Sequence, residues 1–129
     1  MSERPDLKAL VEKWAPRLRL GAWAIAVSYG RGFDMGDNNA TCRFVVENLN
    51  AYIQVLDPLD HPADPFQPTL DVEALVVHEL LHILFAGSKI SSGERLETII
   101  LENAIVRITS LLVAMDRGLP HDYPRVLNG

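Results

Sequence analysis

Apolar and polar positions recur along this chain with two different periods, and the changes of period mark out its elements. Leu7, Leu10, Val11, Trp14 and Leu18 fall at helical spacing, which predicts an amphipathic helix over about residues 5–19. Pro5 suits its first turn, Pro16 should kink or shorten it, and Gly21 should stop it. Trp23, Ile25 and Val27 then alternate with Ala24, Ala26 and Ser28, a period of two that predicts a strand with its bulky residues on one face. Residues 30–39 carry three Gly, two Asp and two Asn and read as a loop. The Gly30-Arg31-Gly32 within it lacks the rest of a nucleotide fingerprint and reads as turn chemistry. Strands are predicted at 40–46 and 51–56, and the short turn 47–50 makes them an antiparallel hairpin. Residues 57–68, with four Pro and three Asp, form a surface connection, and His61 within it reads as solvated.

The pattern then lengthens. Thr69 is a candidate N-cap for a central helix, with Asp71 and Glu73 placed for its dipole, and the helix should run to Phe85 or Ala86 before Gly87 closes it. Ser91-x-x-Glu94 reads as the capping box of a last helix over about 92–116. Its apolar face is predicted to be Leu96, Ile100, Ala104, Ile108, Leu111, Leu112 and Met115. Gly118 and Pro120 end it, and the tail 117–129 should be irregular. The expected fold class is α+β: an N-terminal helix, a small three-stranded sheet and two antiparallel helices. All of it is expected in one domain, 1–129, with a core from about residue 5 to 116.

Composition narrows the classes of function. Apolar content of 48% and charged content of 22% are ordinary for a globular protein. A net charge of −5, with Lys and Arg scattered, argues against a nucleic-acid partner. One cysteine, Cys42, allows neither a disulfide framework nor a cysteine-based metal site. The first residues contain no signal-peptide pattern, and no run is read as reaching the roughly 18 apolar residues of a membrane span. A cytoplasmic protein with no membrane partner, a monomer or small homo-oligomer, is the resulting expectation.

The chemistry is concentrated in the central helix. Leu75-Val76-Val77-His78-Glu79-Leu80-Leu81-His82-Ile83-Leu84-Phe85 contains His-Glu-x-x-His inside an apolar run. Residues four apart lie one turn apart on one helical face, so His78 and His82 can reach a single metal ion. Glu79 points about 100° round the helix, close enough to take a proton from a water beside that metal. Shuffled sequence of this composition gives the pattern in roughly one chain in 170, so its setting matters. Two His and a Glu are costly in a buried helix unless something satisfies them.

A catalytic zinc takes a third protein ligand and keeps one position open. No third His follows at short spacing, and the next is His121. A carboxylate on the last helix is therefore expected. If the chain bends at residue 89 or 90, the level of His78 to His82 corresponds to about 97–101, which Glu97 and Glu102 bracket. Glu102 has Ile99, Ile105 and Val106 as helical neighbours. A carboxylate on such a part-buried face is favoured over the more exposed Glu97, although both stay open.

His78-Glu79-Leu80-Leu81-His82, followed about twenty residues later by Leu101-Glu102-Asn103-Ala104-Ile105, resembles the gluzincin-type zinc metallopeptidases. More narrowly, it is similar to the minimal single-domain members found among phage, prophage and bacterial proteins. Leu20-Gly21-Ala22-Trp23-x-Ile25-x-Val27 is similar to their first-strand entry. The resemblance implies zinc on His78, His82 and Glu102, with Glu79 as general base, and a peptide or protein substrate. Tyr52, Tyr123 and His121 are candidates for stabilising the oxyanion. Where larger relatives place a supporting acid four residues after the ligand Glu, this chain has Val106. The alternative expectation is a zinc-binding interaction or assembly protein of phage or prophage origin that has little or no turnover.

Overall fold

The computed structural model describes residues 4–62, 70–86 and 95–119. The chain runs α1 (Leu7–Arg17), β1 (Ala24–Gly30), α2 (Gly32–Met35), β2 (Ala40–Val45), β3 (Asn50–Leu56), α3 (Val72–Leu84) and α4 (Arg95–Asp116), with 3-10 turns at Val46–Asn48 and Pro58–Asp60. This is the α+β arrangement expected from the periodicities.

Asp6 caps α1 by accepting from the Ala9 amide, which puts Pro5 before the cap rather than in the first turn. Pro16 lies inside the last turn, and the helix ends one residue later, at Arg17. Arg19 takes a positive φ of 62°, so the reversal begins before Gly21. The predicted loop 30–39 includes the single helical turn α2. Gly30 packs closely against two side chains: an added Cβ would come within 2.7 Å of the Met35 sulfur and the Gln54 amide, so those side-chain ends would have to shift.

The sheet order is β1-β3-β2. β2 and β3 form the antiparallel hairpin, with Cys42 opposite Ile53, while β1 runs parallel to β3, with Val27 opposite Ile53. Ala51, Ile53 and Val55 are buried, and with Ile25, Val27, Tyr29 and Cys42 they make the face toward the helices. Tyr52 and Gln54 belong to the opposite, wetter face.

Three ion-paired contacts set the helices. Lys13 and Trp14 of α1 donate to Glu73 at 2.7 Å each, and Lys13 and Arg17 donate to Asp116 at 2.8 and 2.7 Å. Asp71 caps α3 through the Ala74 amide and also binds Arg117 in a two-pronged pair of 2.8 and 2.9 Å. Asp71 therefore does the capping assigned to Thr69 by the sequence, and Thr69 itself lies outside the described residues, as do Gly87 and the Ser91–Glu94 capping box. Arg117 beside Asp71, and Glu102 beside His82, show that α3 and α4 run antiparallel.

The expected face of α4 is corrected. The buried positions are Leu101, Ile105, Thr109 and Val113, with Ile108 and Leu112 packed at their margin. Leu96, Ile100, Leu111 and Met115 are exposed. α4 is apolar nearly all round, so spacing alone left its orientation undetermined. By length and composition α4 is also long and apolar enough to cross a membrane, with 22% of its most apolar window buried. Glu102 and Arg107 interrupt it, which hid this from a search for unbroken apolar runs.

Candidate metal centre

α3 carries the motif, and its packing decides where each side chain points. Val76, Val77, Leu80, Leu81 and Ile83 are buried at 1% exposure or less, anchoring the helix between the sheet and α4. That orientation leaves His78 and His82 half-buried on one flank, with ring centroids 5.1 Å apart. Glu79 turns inward and is 7% exposed. The ligand atoms of His78, Glu79 and His82 all lie within 4.8 Å of one another, a group able to hold a metal ion.

α4 adds a fourth group from across the helix pair. Glu102 Oε1 lies 2.7 Å from His78 Nε2, and Glu102 Oε2 lies 3.0 Å from His82 Nε2. Glu97 is exposed, and among the described residues it forms no ion pair with either ring. Of the two acids bracketing the motif, Glu102 is thus the one beside it. Its side chain is 47% exposed, so the three groups meet at an accessible edge.

The arrangement fits a small divalent cation. Donors around a tetrahedral ion with bonds of about 2.0–2.1 Å lie about 3.3 Å apart. The separations of 2.7 and 3.0 Å are about 0.6 and 0.3 Å shorter than this, so an ion would require the half-exposed Glu102 side chain to move outward. Electrostatics agree. Burial lowers the pKa of His82, with the neighbouring His78 adding to it against the pull of Glu102. A neutral imidazole is the form that binds metal.

Glu79 differs from its neighbours. Burial first, and then the charge of Glu102, push its pKa up to about 7. A carboxyl poised there can take up or give back a proton near neutrality. Glu79 Oε2 stands 4.0 Å from His78 Nε2, close to the centre yet outside direct contact with that ring.

The remaining sequence candidates do not gather here. Tyr52 is on the sheet face away from α3, where its hydroxyl pairs with Ser28 Oγ at 2.6 Å. That removes it as an oxyanion donor. His61 closes the 3-10 turn after β3. His121 and Tyr123 lie outside the described residues. Sequence reasoning missed one neighbour: Cys42 of β2, whose thiol is pushed up to about 12 by burial and by the negative charge of Glu79. Cys42 shares a face of β2 with Ala40 and Phe44, and only the hairpin register brings that face to the motif.

Compared with protein-family models, with curated proteins and with solved structures, the chain matches none, so the site rests on its own geometry.

Proposed function

We propose that this protein is a zinc-dependent peptidase, with His78, His82 and Glu102 holding the ion and Glu79 serving as general base. The observation that carries the reading is the meeting of Glu102, from a separate helix, with both imidazoles at 2.7 and 3.0 Å, beside a buried carboxyl poised near neutrality. A zinc ion bound there would supply Lewis acidity, acidifying a water and polarising a carbonyl. Glu79 accepts the proton of the attacking water and returns it to the leaving amine. Leu80 and Leu81, fully buried, fix the helix on which the base sits. β2 is an edge strand beside α3, and an extended peptide could pair with its free edge, bound through main-chain groups.

A second reading, zinc binding for interaction or assembly without turnover, is favoured by one observation. Tyr52 faces away and Tyr29 donates to the Pro5 carbonyl, so among the described residues no tyrosine hydroxyl is available as an oxyanion donor. The Glu79→Gln variant separates the two. The peptidase reading expects the zinc-loaded parent to cleave an unstructured protein or a peptide library, and the variant to keep its zinc and lose cleavage. A parent that binds zinc and cleaves nothing supports the second reading.

A further inference from the structure

Helix α4 turns an apolar stripe to the outside. Leu96 is 67% exposed, Ile100 56% and Ile99 46%, with Val106 continuing the stripe and Asn103 at its midline. With Leu111 and Met115 these side chains expose on the order of 500 Å² of apolar surface, as large as the largest patch on a typical monomer, which is often functional. Arg107 stands on the same stripe and Glu97 at its edge, and among the described residues neither has an ion-pair partner. Ten residues of helix separate them by about 15 Å, too far for them to pair with each other.

We infer that this face docks against the same face of a second copy of the chain, the two α4 helices antiparallel about a two-fold axis at the level of Glu102. In that register Glu97 of each copy lies level with Arg107 of the other, so four charges without ion-pair partners among the described residues can form two pairs. Asn103 sits one residue from the axis, which offsets the two Asn103 positions by about 3 Å along the helices and puts their amides within reach of a mutual hydrogen bond. A polar pair of this kind fixes register and orientation in paired helices. Leu96, Ile99, Ile100 and Val106 close around it, while Glu102 turns away toward α3 and stays outside the contact. A lipid bilayer fits this face less well, because Glu97, Asn103 and Arg107 would enter hydrocarbon without partners. The patch is smaller than the roughly 800 Å² per partner of a standard interface, so the dimer is a weak, reversible one. The inference does not depend on the metal-site reading.

Sedimentation of the full chain over about 1–200 µM tests it, a range chosen to span a micromolar equilibrium. The expected result is a concentration-dependent dimer. Glu97→Arg or Arg107→Glu alone weakens it about tenfold or more, the two reversals together restore it, and Ile100→Glu leaves a monomer with unchanged far-UV dichroism. A parent that stays monomeric at the highest concentration, whether or not it binds anionic or neutral phospholipid vesicles, overturns the inference. So does a dimer indifferent to Ile100→Glu and to both charge reversals.

Discussion

Replacing Glu79 with Gln should stabilise the metal-free protein, and the gain should depend on pH. Folding buries this carboxyl to 7% exposure beside the charge of Glu102, which raises its pKa from 4.5 to about 7. At 1.36 kcal/mol per pKa unit, the shift corresponds to about 3 kcal/mol. The sign follows from linkage. Below pH 4.5 the group is protonated in both folded and unfolded chains, and its stability contribution is fully present. Between 4.5 and 7 the unfolded chain ionises while the folded one does not, and that contribution drains away. Above 7 the folded protein carries the full cost of a buried charge. Gln keeps the shape and cannot ionise. In chelator, Glu79→Gln should exceed the parent by up to about 3 kcal/mol at pH 8, and the difference should fall toward zero near pH 4.5. Urea unfolding of both proteins at the two pH values measures this, and His82 titrates in both and cancels. The same difference at both pH values, or a parent more stable than the variant at pH 8, would refute the reasoning. A cation bound beside the carboxylate opposes the penalty, so zinc should narrow the gap at pH 8.

Further outcomes follow from the same geometry. Because burial holds His82 below the usual His range, zinc should be retained at neutral pH and displaced as protons compete in acid; dialysis followed by metal analysis checks this, and retention unchanged at pH 4 would contradict it. Leu80→Ala, at a fully buried position under the motif, should cost about 2–5 kcal/mol in urea unfolding and loosen metal binding with it. Asp71→Ala removes the α3 cap and should cost about 1 kcal/mol in thermal or urea unfolding, with Asn at that position recovering most of the loss.

The strands and the helix that carries the motif were legible in the sequence because each satisfies a strict local rule. The alternation from Trp23 to Ser28 has one solution, with Ile25 and Val27 toward the core, and the structure has it. The short turn between β2 and β3 permits only an antiparallel pair. His78 and His82 share a face because helical geometry requires it. The level argument that bracketed the motif with Glu97 and Glu102 assumed antiparallel helices, and α3 and α4 are antiparallel, with Glu102 beside both rings. What stayed hidden depends on contacts between distant segments. The parallel pairing of β1 with β3 leaves no local signature. The inward face of α4 could not be chosen by period, since Leu96, Ile100, Leu101 and Ile105 satisfy it equally well; burial picked the last two. The cap of α3 is Asp71, which also meets Arg117, a partner 46 residues away that no local pattern reveals.

The central claim is that His78, His82 and Glu102 together hold one metal ion. Mass spectrometry of metal content under native conditions, on untagged parent and Glu102→Ala purified side by side, tests it most directly. The account expects one tightly held zinc per chain in the parent and its loss or marked loosening in the variant. A parent that holds no zinc after reconstitution, or a variant that holds it as tightly as the parent, would contradict the account.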